Sequence, residues 1–286
     1  MAAVDEKESH PLAELTIQVA QDCLDRLTSP ASLDDESTVH SLRVATKRLR
    51  AAWQLVKPLV GSEVARQRNN SLREMSGHLS ESRDLAVLIG LVHSLAARQT
   101  DGTIALALDK VSHALREPTS GPTESTLSHE EIFTLVRQTL ADEMAAWHAL
   151  DDCDPAVARR TIRHQLRKSR DRARRDAHLA KRDHDPELWH DWRKMVKRLR
   201  YQREFIAATH GRLPGKIDAR ISRLGTRLGE RNDLANLAVA ADRLAASGSL
   251  ERREHGLVRK AIAAEEHRLM RNCRRLGRQV SFKKGR

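Results

Sequence analysis

Apolar residues recur every three or four positions along most of the chain, a spacing that is typical of amphipathic helices. The first such segment covers residues 12–27, and the second is expected to end at Lys57 because Pro58 follows it. Further helices are predicted at about residues 62–98 with a break near Gly77, 102–116, 128–150, 155–180, 186–210, 216–228, 232–247 and 249–280. We therefore expect an all-α protein.

The composition agrees with a helical protein of the cytoplasm. Aromatic residues make up only 3% of the 286 positions, and the chain is long enough to bury a core without disulfides. Cys23, Cys153 and Cys273 are far apart and form no CxxC pair, so they are interpreted as buried thiols in a reducing compartment. The acidic N-terminal segment lacks the apolar core of a signal peptide, and no apolar run reaches the length of a membrane span.

Residues 40–50 place cations and apolar side chains on opposite faces of one predicted helix. At about 100° per residue, His40, Arg43, Lys47 and Arg50 share a narrow arc. Leu42, Ala45, Leu49, Trp53 and Val56 lie opposite them. A row of cations about 15 Å long can contact several successive phosphates of a linear polyanion.

The same pattern occurs a second time, 150 positions later, in residues 190–200. The histidine, the first arginine and the closing Lys-Arg-Leu-Arg keep their places, and Trp192 lies on the apolar side. Residues 79–88 are echoed by residues 228–237 at an offset of 149. We therefore predict a single domain of two repeated halves, 1–121 and 122–286, joined near a linker at residues 117–125. The halves are expected to be pseudo-symmetric bundles of about four helices each, followed by a long basic C-terminal helix.

Positive charge is concentrated in the second half of the sequence. Of the net charge of +12, residues 1–121 contribute −2, from 14 Lys and Arg against 16 Asp and Glu, and the remainder contributes +14. Such an asymmetry is typical of proteins that bind a polyanion, whereas charge for solubility alone would be scattered. Two further helices carry cations on one face: Arg160, Arg163, Arg167, Arg170 and Arg174 on the first, and Lys260, His267, Arg271, Arg274 and Arg278 on the last.

At the two motifs and the Glu-x-x-Asp-Leu segments that follow them, the sequence resembles the conserved histidine α-helical domain (CHAD) family over nearly its whole length. The resemblance implies two four-helix bundles with a basic central groove that binds inorganic polyphosphate, and association with polyphosphate granules in many members. The implied ligand-binding residues are His40, Arg43, Lys47 and Arg50, and His190, Arg193, Lys197 and Arg200. Arg48 and Arg198 lie about 80° from these rows and are expected at the rim.

Several of these residues also fit a structural role. A solvated helix face would carry carboxylates three or four residues from its cations, and residues 40–50 contain none. The histidines either contact phosphate or are buried and hold a neighbouring helix by a hydrogen bond. Tyr201 either lines the groove or packs, whereas Trp53 and Trp192 are expected in the core.

Four acidic residues follow the motifs: Glu81, Asp84, Glu230 and Asp233. They could bind a metal that accompanies polyphosphate, but a role in orienting the motif arginines is favoured, because their spacing does not by itself form a metal site.

Catalysis has little support in the sequence. A Gly-rich phosphate loop, a GxSxG elbow and an HExxH helix are all absent, and the cationic rows lack the carboxylates that would hold catalytic metal ions. We therefore expect non-enzymatic polyphosphate binding, with no cofactor, no metal and no membrane partner. A nucleic-acid-binding protein is the main alternative, although few aromatic residues are available to stack on bases. A metal-dependent polyphosphatase is a further, less favoured alternative.

Overall fold

The computed structural model describes residues 9–79, 81–117, 127–183, 185–213 and 215–280, with the side chains of residues 81–84 excepted. Within these ranges the chain forms ten α-helices and two short 3-10 helices, and no strand. The all-α prediction is confirmed. The helices are α1 Pro11–Leu24, α2 Glu36–Val60, α3 Ser62–His78, α4 Glu81–Ala96, α5 Gly102–Arg116, α6 His129–Trp147, α7 Pro155–Arg182, α8 Pro186–Ala208, α9 Lys216–Ala246 and α10 Arg252–Gln279.

Helix α2, which carries the first motif, has clear signals at both ends. The carboxylate of Asp35 accepts hydrogen bonds from the backbone N–H groups of Ser37 and Thr38, and it also accepts from their hydroxyls. The bonds from these hydroxyls, with the backbone bonds, lower the pKa of Asp35 to about 2. Gly61 ends the helix at φ 91°, a conformation that favours glycine.

Two predicted helix ends and one predicted break between helices are wrong. The first helix ends at Leu24 instead of residue 27. Helix α2 continues through Pro58 to Val60, because Leu59 and Val60 pack against the core of unit 1 although the proline removes the bond to the Gln54 carbonyl. The segments predicted as 216–228 and 232–247 form one helix, α9, whose buried residues lie on both sides of the predicted break. Most of the predicted linker and the basic tail fall outside the described residues.

The chain divides into two compact units, and each draws on both halves of the sequence. Unit 1 contains the described residues of Met1–Ser80, Glu124–Arg174 and Lys197–Ala219. Unit 2 contains those of Glu81–Thr123, Arg175–Val196 and Arg220–Arg286. Helices α7, α8 and α9 contribute residues to both units. The division does not coincide with the predicted boundary at residue 121, and the pseudo-symmetry of the halves stays a prediction.

The core of unit 1 packs the apolar faces of α1, α2 and α6 together. At its centre the rings of Trp53 and Trp147 stack with their centroids 4.0 Å apart. Both side chains are fully buried, so the prediction for Trp53 is confirmed.

Unit 2 has a separate core, built from α4, α5, α9 and α10. Ion pairs from Arg98 to Glu265 (2.8 Å) and from Lys110 to Glu254 link its helices at the surface. Trp192 is fully buried in this unit, as predicted.

Two of the three cysteines match their interpretation as buried thiols. Cys23 and Cys273 are buried, and burial raises their pKa values to about 11 and about 12. Cys153 is partly exposed, because it lies in the turn that precedes α7. The prediction was therefore wrong for this residue. Within the described ranges, no helix combines the length and apolar character needed to cross a bilayer.

Candidate functional site

The first motif lies on α2 with its apolar face in the core of unit 1. Leu42, Leu49 and Trp53 have no exposed surface. His40 is exposed, whereas Arg43, Lys47 and Arg50 are half-buried. These three cations are therefore only partly accessible to solvent.

Helix α3 fixes two of the motif arginines. Arg43 donates a hydrogen bond through Nη1 to the carbonyl of Leu79, which follows α3, at 3.1 Å. Arg50 donates from Nε to Oδ1 of Asn69 at 3.0 Å. Both bonds are made to neutral oxygens, so neither of these two contacts is an ion pair.

The C-terminal part of α8 packs on α2 within unit 1. The buried amide of Gln202 donates to the carbonyl of Ala51 at 3.1 Å, and the guanidinium of Arg48 lies 5.3 Å from the ring centroid of Phe205. Lys197, Arg198 and Arg200 of the second motif consequently belong to the same compact unit as the whole first motif. His190 and Arg193 belong to unit 2.

Arginines from three helices lie close to one another in unit 1. Burial lowers the pKa of Arg50, and the charges of Arg198 and Arg73 lower it further. Like charges that lie close together repel each other, and an anion placed among these arginines would be bound favourably. We call Arg50, Arg73 and Arg198 the arginine cluster. Arg73, on α3, was missed by the sequence analysis because it belongs to no repeated motif.

Other residues of the second motif have partners inside unit 1. Arg200 pairs with Glu204 at 2.7 Å, and its guanidinium lies 5.4 Å from the ring centroid of Tyr201. Tyr201 is 7% exposed, which agrees with the packing role that the sequence left open.

The two motif histidines have different environments. His190 is half-buried in unit 2, and its Nδ1 lies 2.7 Å from Oδ1 of Asn232 on α9. This contact matches the role of holding a neighbouring helix. His40 is exposed on α2, so a buried role is wrong for that residue.

Unit 2 contains a second group of cations near Trp189 and Trp192. Burial lowers the pKa of Lys181, and the charges of Arg278 and Arg274 lower it further. Arg274 donates to the carbonyl of Lys181 at 3.5 Å, and Lys181 lies 5.8 Å from the ring centroid of Trp192. Lys181 was also missed by the sequence analysis.

Arg231 in unit 2 is the most deeply buried arginine in the described part of the chain, at 3% exposure. It pairs with Glu266 at 2.7 Å and lies 4.8 Å from the ring centroid of Trp189. Its charge is therefore engaged inside the unit.

The remaining predicted cations are mostly on the surface. On α7, Arg170 is half-buried beside Asp171, whereas Arg160, Arg163, Arg167 and Arg174 are exposed. On α10, Arg274 is half-buried, whereas Lys260, His267, Arg271 and Arg278 are exposed. Both rows can therefore reach a ligand in solution.

The acidic residues show no metal site in the described ranges, where no group of three or more His, Cys, Asp or Glu residues could hold an ion. Glu230 pairs with Arg227 of its own helix, through both carboxylate oxygens at 2.7 and 2.8 Å. The side chains of Glu81 and Asp84 lie outside the described residues, and the orienting role of all four acidic residues, Asp233 included, stays a prediction.

Comparison with known proteins shows a family and a fold. The family model of the CHAD domain matches residues 18–245. The structure is similar to that of PptA from Streptomyces chartreusis, with a TM-score of 0.64 and 19% sequence identity, over 96% of this chain and 98% of that one. No curated protein matches the chain significantly.

Proposed function

Because the chain belongs to the CHAD domain family, we propose that it binds inorganic polyphosphate without hydrolysing it. The ligand contacts the exposed His40 and the half-buried cations of the two motifs, and the basic rows of α7 and α10 add further contacts. Binding of this kind also targets the protein to polyphosphate granules in the cytoplasm. The central basic groove expected from the sequence is part of the same proposal.

The observation that carries the proposal is the arginine cluster of unit 1. The pKa of Arg50 is lowered, first by burial and then by Arg198 and Arg73, so the folded chain holds these charges together at an electrostatic cost. A polyanion with one charge per phosphate would remove this repulsion. Arginine binds phosphate oxygens through a planar fork, and Lys47 and Lys197 of the two motifs add point charges.

The aromatic residues favour polyphosphate over nucleic acid. Sequence-tolerant binding of single strands uses exposed rings that stack on bases. Here Trp53, Trp147, Trp189 and Trp192 are each at most 1% exposed, and Tyr201 is 7% exposed. Their rings are therefore occupied by packing.

Competition binding at one fixed salt concentration tests the choice of ligand. Labelled long-chain polyphosphate is bound to the protein and displaced by unlabelled polyphosphate, RNA or duplex DNA at equal phosphate concentration. We expect polyphosphate to compete far better than either nucleic acid. Equal displacement by RNA or DNA would refute the proposed specificity.

An activity assay tests the absence of hydrolysis. Pure protein incubated with polyphosphate and Mg²⁺ or Mn²⁺ should release no phosphate above a no-protein control. Release that is lost in Glu81→Gln or Glu230→Gln would instead identify a metal-dependent polyphosphatase.

A further inference from the structure

A cavity of about 950 Å³ lies within unit 1, and none of the residues that line it belongs to either copy of the motif. It is formed by the start of α1, the turn before α7, the first half of α7, the end of α8 with the residues after it, and the start of α9. Its volume is at the upper end of the range, about 300–1,000 Å³, that is usual for small-molecule sites.

The floor of the cavity is aliphatic. Leu12 and Leu150 are each 1% exposed, and Ile162, Leu166 and Ile206 are partly buried beside them. Leu213 adds an apolar wall that is 91% exposed. This surface suits a hydrocarbon chain, which would cover apolar area that now faces water.

The two carboxylates in the lining are already engaged. Asp218 pairs with Arg203 at 2.5 Å and accepts from the backbone N–H of Gly215 at 2.8 Å. Asp151 accepts from the backbone N–H of His10 at 2.8 Å and from the hydroxyl of Ser9 at 3.3 Å. Neither carboxylate forms an ion pair with Arg159, Arg163 or Arg212.

Three arginines of the lining have no such compensation. Arg159, Arg163 and Arg212 are exposed, and their side chains make no hydrogen bond or ion pair with the described residues. We propose that the cavity binds a single-chain amphiphile with an anionic head, either a fatty carboxylate or an alkyl phosphate. The alkyl chain covers the aliphatic floor, and these three arginines bind the head.

The mixed lining distinguishes this site from the polyphosphate surface, with which it shares Arg163 of the α7 row. Polyphosphate has no apolar part that could cover Ile162, Leu166 and Leu213, whereas a neutral lipid would leave three arginines without a counter-charge. An anionic amphiphile satisfies both parts of the lining. The inference does not depend on the proposed polyphosphate function.

Cys153 provides a reporter inside the cavity. Its side chain lines the site and is partly exposed, whereas Cys23 and Cys273 are buried with raised pKa values. An alkylating reagent should therefore modify Cys153 first, and a bound amphiphile should slow that reaction.

The test measures binding by calorimetry and Cys153 alkylation by mass spectrometry, on the full chain and below micelle-forming concentrations. The probes are dodecanoate, dodecyl phosphate, neutral dodecanol and inorganic phosphate. We expect saturable binding of at least one anionic amphiphile, together with slower alkylation of Cys153. The affinities of dodecanoate and dodecyl phosphate then show which head group is preferred. Dodecanol and inorganic phosphate should each bind about tenfold more weakly or not at all.

Two variants separate the head site from the floor. Arg159→Ala with Arg163→Ala should weaken binding of the anionic amphiphile by about tenfold or more. Leu213→Asp, at an exposed position, should weaken it without affecting folding. Arg160→Ala with Lys168→Ala removes the same charge from α7 outside the lining and should leave binding unchanged.

Four results would overturn the proposal: absence of saturable binding by both amphiphiles, equal binding of dodecanol, equal binding of inorganic phosphate, or equal losses in the α7 control. Protection of Cys153 by an acidic amphipathic peptide, with no protection by either amphiphile, would instead identify a protein-docking groove.

Discussion

Nε1 of Trp53 donates a hydrogen bond of 2.6 Å to Oε2 of Glu143, although neither side chain has exposed surface. The bond joins α2, which carries the first motif, to α6. Burial raises the pKa of Glu143 to about 7 from an ordinary 4.5, and the Trp53 bond only partly opposes that shift. A carboxyl group in the core of unit 1 therefore titrates near neutral pH.

The stability of unit 1 should fall as pH rises from about 4.5 to about 7. A pKa that is raised in the folded state favours folding below the unfolded value, and this contribution is lost as pH rises through the folded value. Glu143→Gln removes the titration, so its free energy of unfolding relative to the natural protein should increase by about 3 kcal/mol between pH 4.5 and 8.5. Urea unfolding followed by tryptophan fluorescence measures the difference.

The neighbouring Asp142 provides the control for this prediction. It is exposed, so Asp142→Asn should leave most of the pH dependence in place. If the stabilities of the natural protein and Glu143→Gln run parallel with pH, Glu143 does not titrate in this range.

Arg50→Ala combined with Arg198→Ala should weaken polyphosphate binding by about thirtyfold or more, because each charge-assisted contact contributes about 1 kcal/mol or more. Calorimetry at constant salt measures the affinity, and circular dichroism checks the helicity. Arg26→Ala with Arg66→Ala removes the same charge from exposed positions of unit 1. An equal loss in this control would mean that net charge alone decides the affinity.

Two glycines of α10 should differ in their response to alanine. At Gly277 an added methyl group would meet Trp192 at 3.0 and 3.2 Å, and this indole is fully buried. Gly256 has open space around it. Gly256→Ala should stabilise the protein by up to about 1 kcal/mol through helix propensity, whereas Gly277→Ala should be less stable than Gly256→Ala. Equal thermal unfolding midpoints would contradict the close contact with Trp192.

Arg231 should support the fold of unit 2 more than it supports ligand binding. Arg231→Ala leaves Glu266 without its partner and removes the contact with Trp189, so a loss of about 2–3 kcal/mol in unfolding free energy is expected. Adding Glu266→Gln should recover part of the lost unfolding free energy, because a neutral amide then replaces the carboxylate that has no partner. Additive losses in urea unfolding would exclude coupling between the two side chains.

Much of the helical content could be predicted from the sequence, because helical periodicity is a local property. The break near Gly77 lies one residue before the end of α3, and the faces of α2 divide as expected between Trp53 and Arg50. Helix ends were less predictable. A proline such as Pro58 disfavours a helix only at its own position, whereas packing decides whether the helix continues past it.

The candidate site was predictable only where a motif repeats. The spacing from His40 to Arg50 identifies a cationic face, but it says nothing about Arg73, which approaches Arg50 only because α3 packs on α2. His40 and His190 have identical motif positions, yet one is exposed and the other is bonded to Asn232. Equal local spacing cannot predict such a difference, because it arises from a neighbouring helix.

The sequence by itself determined that the chain is helical and which face of each motif helix is charged, since both follow from the order of side chains along a regular helix. Only the tertiary structure decided that Lys197 to Arg200 share a compact unit with the first motif, whereas His190 and Arg193 do not. It also decided that Glu143 is buried against Trp53 and that the arginine cluster draws on α3. These features depend on packing between helices that are distant in sequence, which no local pattern records.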